Sequence, residues 1–313
     1  MHQEYAINPD GICESWDRFL RFWGNCGFSK GRLISKFPSK WKREVFRSDS
    51  FRKLTPIKQQ RVEVLLAKDS DRLVASHRAY DQDAKSWLEA AIISDKAKPF
   101  YAIIDEENPD GYPKVLSFDD ADEESLWAVD TCKQINRTED AMGESVRHLL
   151  SNCREVRFID PYFSFKPELT APFKRFLEHL VPFASRLDCL EVHFKHSNYV
   201  RDLQWEDFVT RFKREVVSKQ RFYLPEGGEE LIDKLVFHAW DDSDAETLHA
   251  RCIVTDLGGL NFERGLDISS QHAATNLVSM MSERDVTDYK VRYTQGTSPF
   301  IHKGMFRASE IVK

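Results

Sequence analysis

From residue 248 to 256 the chain reads Leu-His-Ala-Arg-Cys-Ile-Val-Thr-Asp, which strings a base, a cation and an acid along one apolar run. Side chains on a strand alternate between faces, so His249, Arg251 and Ile253 share one side. A histidine and an arginine spaced in this way can both reach one phosphate. The imidazole can attack phosphorus or donate a proton, and the guanidinium can neutralise the non-bridging oxygens. Asp256 closes the run, where a carboxylate could orient an imidazole from a neighbouring site. The histidines at 77, 148, 179, 196, 238, 272 and 302 show no paired ligand spacing, so neither a metal site nor another cofactor is expected. A second His-x-Lys, His193-Phe194-Lys195, has Val200 where the acid would stand, and is expected to be a strand and its edge.

The elements around this run must position it. From residue 155 onward strand and helix patterns alternate. Residues 156–160 form a strand pattern stopped by Pro161, and 173–183 are apolar at helical spacing. A strand follows at 187–194, then an amphipathic helix at 205–217 with Phe208, Phe212 and Val216 on one face, then strands at 235–240 and 248–255. The alternation predicts an α/β sandwich in which 156–160, 189–194, 235–239 and 249–255 belong to one mixed sheet.

His249, Arg251 and Asp256 fit the pattern H-x-[K/R]-x4-D, and downstream come Gly258-Gly259 and then Arg264-Gly265-Leu266-Asp267-Ile268. Upstream, residues 156–163 read Val-Arg-Phe-Ile-Asp-Pro-Tyr-Phe. Over about residues 140–313 these features resemble the phospholipase D superfamily: its H-x-K-x4-D motif, its glycine turn with G-G-x-D, and its first core strand with a Pro-Tyr-Phe exit. The resemblance implies a phospholipase D-like mixed-sheet sandwich and metal-independent phosphodiester cleavage through a phosphohistidine. It makes His249, Arg251 and Asp256 the catalytic candidates and Asp267 and Glu283 the site-supporting ones. Family enzymes use two such motifs and this chain has one, so a homodimer with both His249 side chains facing a two-fold axis is implied. Two positions depart from the pattern. Arg251 replaces a lysine, keeping charge but not shape. Arg264 stands where the first glycine belongs, crowding the approach of backbone to phosphate.

Residues 1–95 are expected to be mainly helical, from the spacing of Trp16, Phe19, Leu20 and Trp23 and of Val62, Leu65, Leu66 and Leu73. Near Pro99 the pattern becomes strand, turn and strand, with Asn108-Pro109-Asp110-Gly111 as the turn. The expected organisation is a helical basic N-terminal domain at 1–95, a hairpin and acidic connector at 96–137, and the phospholipase D-like domain at 138–313. Charge is segregated along this order. Residues 18–53 hold eleven Lys/Arg against two acids, and 105–124 hold nine acids against Lys114. The basic head is interleaved with Phe22, Trp23, Phe28, Phe37, Trp41, Phe46 and Phe51, a mixture that can track a phosphate backbone and stack bases. Lys40, Trp41, Lys42 and Arg43 are its candidate nucleic-acid contacts.

With 41% hydrophobic and 31% charged residues the 313-residue chain has the material for a core, and a net charge of -6 excludes a wholly basic nucleic-acid coat. No apolar run approaches the ~20 residues of a transmembrane helix, and the first residues lack the pattern of a signal peptide, which predicts a cytoplasmic protein with no membrane partner. The six cysteines form no C-x-x-C pair and are expected to be free. The leading functional expectation is a DNA nuclease, and the resemblance adds antiviral defence systems, where such nucleases are joined to recognition domains. The rivals are a catalytically degenerate binding module of the same fold within a larger assembly, and a phosphotransferase acting on small molecules or lipid headgroups.

Overall fold

The computed structural model describes residues 1–68, 71–199, 204–271 and 273–312. Val200 and His272 lie outside them. The chain divides into two compact units, His2–Thr131 and Cys132–Lys313, with Met1 belonging to the second.

The first unit is not mainly helical. It carries a five-stranded sheet of β1 (Gln3–Ile7), β2 (Arg32–Lys36), β3 (Leu73–Ala75), β4 (Ala102–Asp105) and β5 (Val115–Ser117), in the order β3-β2-β1-β4-β5. Every pairing is parallel, with Tyr5 beside Ile34 on one side and Ala102 on the other. Parallel strands are covered on both faces and so need to be apolar on both. Tyr5, Ala6, Ile7, Leu33, Ile34, Ile103 and Ile104 are fully buried. The helices α1 (Trp16–Asn25), α2 (Trp41–Arg47), α3 (Asp49–Lys53) and α4 (Pro56–Ala67) supply Phe19, Phe22, Trp23, Trp41, Val45, Phe51, Val62 and Leu66 to the face of Tyr5, Ile7 and Ile34. The fifth, α5 (Trp87–Ala97), packs Ala90 and Ala91 against Ala6 and Ile103 on the other face. The segment expected to be a hairpin is also different: β4 and β5 are neighbours, but parallel. Leu73, expected on a helical face, is in β3.

The segregated charges of this unit meet in space. Arg18 pairs with Glu14, with Asp119 at 3.0 Å and with Glu106, and Arg21 stands 3.5 Å from Asp122. Basic head and acidic stretch therefore partly neutralise each other. Of the seven aromatics in the head, only Phe46 is exposed.

The second unit is built on one eight-stranded mixed sheet. Its strands are β6 (Cys132–Asn136), β7 (Glu155–Ile159), β8 (Cys189–Lys195), β9 (Leu235–Asp241), β10 (Cys252–Thr255), β11 (Gly259–Phe262), β12 (Thr275–Met280) and β13 (Ile301–Arg307), in the order β13-β9-β8-β7-β10-β11-β12-β6. The central β7, β8 and β9 run parallel, and the remaining pairings are antiparallel. The four apolar segments expected to share a sheet do so, although residues 249–251 precede the strand proper.

Helices of this unit are α6 (Glu139–Leu150), α7 (Pro167–Glu178), α8 (His196–Tyr199), α9 (Trp205–Ser218), α10 (Gln220–Tyr223), α11 (Glu229–Ile232), α12 (Glu283–Arg292) and α13 (Ala308–Val312). Thr138 starts α6 by accepting the Ala141 N–H, and Ser282 starts α12 by accepting that of Asp285. Phe158 of β7 meets Phe173 and Phe176 of α7, and Phe194 and Phe237 meet Phe212 of α9. On the opposite face α12 places Val286 and Tyr289, and its C-cap Tyr293, over Ile159, Cys252 and Val254.

Candidate functional site

Packing along residues 248–254 follows the alternation that the sequence suggested. Leu248, Cys252 and Val254 are buried in the core under α12, with Ala250 packed against it. Arg251 and Ile253 therefore face the α7 side of the sheet. Cys252 pairs with Ile159, so Arg251 stands across from Asp160, the residue just after β7. Asp160 is 2% exposed. Its Oδ1 accepts the Tyr162 N–H at 2.9 Å and its Oδ2 the Leu266 N–H at 2.9 Å. Burial pushes this carboxyl above the ordinary range, opposed by those two hydrogen bonds and by the Arg251 charge.

Asp160, Tyr162, Leu169, Arg251, Arg264, Gly265 and Asp267 line a cavity of about 310 Å³. Arg251 donates to the Glu263 carbonyl at 3.0 Å, and its guanidinium lies 5.0 Å from the centre of the Tyr162 ring. Tyr162 is 55% exposed. The turn carrying Arg264 and Gly265 is clamped by buried Asn276, whose Oδ1 accepts the Arg264 N–H at 3.0 Å while its Nδ2 donates to the Gly265 carbonyl at 2.8 Å. Gly265 has φ +107°, and a Cβ there would stand 2.8 Å from Asp267 Oδ1 and 3.3 Å from Asp160 Oδ2. Only glycine satisfies both constraints. Asp267 is held by Arg137 at 2.6 Å. Neither Arg251 nor Arg264 forms an ion pair among the described residues, so two guanidiniums remain for an anion.

His249 is exposed, two residues before Arg251, and is not part of the cavity wall. Its Nδ1 lies 2.9 Å from the Thr247 carbonyl. A carbonyl only accepts, so Nδ1 carries the proton and Nε2 of the neutral ring keeps its lone pair.

The structure does not bring Asp256 to this group. Five residues of extended chain, at roughly 3.3 Å each, separate it from Arg251. Its Oδ1 instead accepts the N–H groups of Arg154 at 2.8 Å and Glu155 at 3.1 Å, clasping the start of β7. Glu283 opens α12, on the face of the sheet opposite Arg251, and does not line the cavity. In the first unit, Trp41 is fully buried and donates its indole N–H to the Ile7 carbonyl at 2.7 Å, so it cannot stack on a base. Lys42 donates to the Leu66 carbonyl at 2.9 Å. Lys40 and Arg43 are exposed.

Sequence reasoning missed Asp160, Tyr162 and Asn276. The first two lie in the Asp-Pro-Tyr-Phe exit and were legible only as the end of a strand. Asn276 carried no signal, since an asparagine inside a strand gives no hint of the turn it clamps 11–12 residues earlier. The His193-x-Lys195 pair is structural: His193 is 1% exposed, accepting from Trp240 Nε1 at 3.1 Å and donating to Glu191 at 3.1 Å, while Lys195 pairs with Asp242. Burial pushes His193 down to about 4. Burial alone would raise Glu191, but His193, His238 and Arg157 hold it well below the carboxylate range. No group of three or more His, Cys, Asp or Glu among the described residues could hold a metal ion. No helix among them is long and apolar enough to cross a membrane, and all six cysteines are free.

No protein-family model matches the chain, and no curated protein does. Among solved structures it is similar to TrmBL2, an archaeal chromatin protein described as showing a novel mode of DNA binding, at 13% identity and a TM-score of 0.28, over 54% of this chain and 52% of that one. It is also similar to polyphosphate kinase from Porphyromonas gingivalis, at 11% identity and a TM-score of 0.30, over 53% of this chain and 26% of that one. The chain thus spans about half the length of the first and a quarter of the second.

Proposed function

We infer that the second unit binds a phosphodiester in the Arg251–Arg264 cavity and cleaves it in the manner of phospholipase D-like enzymes, with single-stranded DNA as substrate. The observation that carries this reading is that Arg251 and Arg264, neither of them ion-paired among the described residues, line one cavity, while His249 stands two residues before Arg251 with its Nδ1 turned to the Thr247 carbonyl, leaving Nε2 as its nucleophile. The exposed Tyr162 ring over Arg251 favours a single strand, since a base can stack where its phosphate is held. The basic head does not support the choice of DNA, because all but one of its aromatics are buried and part of its charge is paired internally.

In the proposed reaction Nε2 of His249 attacks phosphorus and the P–O bond to the leaving nucleotide breaks. The leaving oxygen takes a proton from the imidazolium of a second copy's His249. Water then attacks phosphorus, the P–N bond breaks, and the water's proton passes to that second imidazole, now neutral. Arg251 and Arg264 balance the charge on the non-bridging oxygens throughout. Asp160 acts as a positioning residue, holding residues 162 and 266 in place.

The test is cleavage and binding of a labelled DNA oligonucleotide in the presence of EDTA. His249→Ala is expected to abolish cleavage and leave affinity nearly unchanged, whereas Arg251→Ala should weaken both. One observation favours the rival binding module: His249 stands outside the cavity wall, while Arg264, at the position of a family glycine, is part of it. Binding that depends on Arg251 and Arg264, with no cleavage by the wild-type chain, would establish that rival.

A further inference from the structure

The sheet of the first unit has an order that changes direction. From β1 the chain steps outward to β2 and β3, then returns to the other side of β1 for β4 and β5. In open parallel sheets ligands bind at the carboxyl ends of the strands, beside such a reversal. A cavity of about 660 Å³ lies at this edge. One wall is the exit of β1, a second the exit of β2 with α2, and a third the segment from Tyr80 to Trp87. Its volume is in the range of small-molecule sites.

The polar groups around it divide into those already bonded and those left over. Asn8 is bonded: its Oδ1 accepts the Asp10 N–H at 2.9 Å and its Nδ2 donates to Asp105 at 2.9 Å. Ser48 is bonded as well, donating to the Val45 carbonyl and accepting the Phe51 N–H. Lys40 forms no ion pair among the described residues, and the contact of Arg47 with Glu44 is stretched to 4.0 Å. Two half-buried aromatics line the same cavity. Trp87 is fixed by its indole N–H on the Phe37 carbonyl at 3.2 Å, and Tyr80 packs on the Phe37 ring at 5.2 Å.

We propose that this cavity is a nucleotide site, with a base against Trp87 and Tyr80, phosphates on Lys40 and Arg47, and sugar hydroxyls toward Glu44. A wall that combines cations with fixed aromatic rings matches a ligand that is anionic at one end and planar at the other. The turn after β1 cannot cradle a pyrophosphate as a glycine-rich loop does. Pro9 has no N–H, and the Asp10 N–H is already taken by Asn8. Side chains must hold the phosphates here, so the site fits a free nucleotide better than a dinucleotide cofactor laid across a glycine-rich turn.

The test is calorimetric titration of the full chain with ADP, GDP, CDP and UDP in EDTA, with adenosine and inorganic pyrophosphate as part-ligands. At least one nucleotide is expected to bind saturably, and both part-ligands about tenfold or more weaker. Lys40→Ala and Arg47→Ala, both at exposed positions, should each weaken it by about tenfold. Trp87→Leu should weaken it as well and Trp87→Phe restore most of it, with melting curves confirming folded protein. Arg251→Ala should leave it unchanged, which separates this site from the cavity of the second unit. Absence of saturable binding by all four nucleotides would overturn the proposal. So would pyrophosphate binding as tightly as the nucleotide, or affinity lost in Arg251→Ala and kept in Lys40→Ala.

Discussion

At Gly265 the backbone takes φ +107° in a space that a methyl group would share with Asp267 and Asp160. Gly265→Ala is therefore expected to cost about 2 kcal/mol in urea unfolding and to weaken oligonucleotide binding, because the strained turn carries Arg264 and frames the cavity. Unchanged stability and affinity would mean that the turn is not what shapes the site. His193 offers a second residue-scale prediction. Its Nδ1 must accept from Trp240, so protonation would set two donors against each other. Its pKa is about 4 in the folded state against an ordinary 6.5, so between those values the unfolded chain takes up a proton that the folded chain refuses. Stability from this group is complete above pH 6.5 and is lost as pH falls toward 4, about 2 kcal/mol of it by pH 5. His2 is pushed the same way by burial, so the test is a difference: melting of His193→Gln between pH 7 and 5 should fall less than that of wild type. His249 and Arg251 were legible because alternation along a strand is a local property. Asp160 was not, because what makes it matter is a partner 106 residues away, and Asn276 was not, because its role depends on how the turn at 264–265 folds back onto β12.

The element scale shows why the acid of the H-x-R-x4-D pattern separates from its base. A four-residue strand, β10, lies between them, and antiparallel pairing with β7 sends its two ends to opposite ends of that partner. Asp256 thereby serves the start of β7 and Arg251 its exit. Asp256→Ala should destabilise the second unit by about 1–2 kcal/mol, through loss of the two backbone N–H partners, while turnover by folded protein at low temperature stays close to wild type. Turnover abolished in folded Asp256→Ala protein would restore a catalytic role to this residue. The strands of the second unit were readable as apolar runs bounded by turns. In the first unit only the two strands flanking residues 108–111 were readable, while Gln3–Ile7, Arg32–Lys36 and the three-residue Leu73–Ala75 were hidden among helical patterns. The helical spacing of Phe19 and Trp23 was real, but it described one layer covering a sheet rather than a helical domain.

Over the whole molecule, charge that looked segregated in sequence is partly cancelled in the fold, since Arg18 and Arg21 find Glu106, Asp119 and Asp122. Such pairings join residues some ninety positions apart and could not be seen from composition. They change the expected salt dependence of DNA binding. Each phosphate neutralised on a single strand contributes a slope of about -0.7 to the logarithm of affinity against that of salt. Neutralising Lys40, Lys42 and Arg43 together should leave that slope unchanged, and Arg251→Ala with Arg264→Ala should flatten it; the reverse pattern would return DNA binding to the basic head. The central claim is covalent chemistry at His249, and mass spectrometry of the full chain after brief reaction with a DNA oligonucleotide in EDTA tests it most directly. The account predicts a nucleotide adduct bonded through phosphorus to His249 and absent from His249→Ala. Cleavage without any such adduct, or cleavage that appears only on adding Mg²⁺ or Mn²⁺, would contradict it.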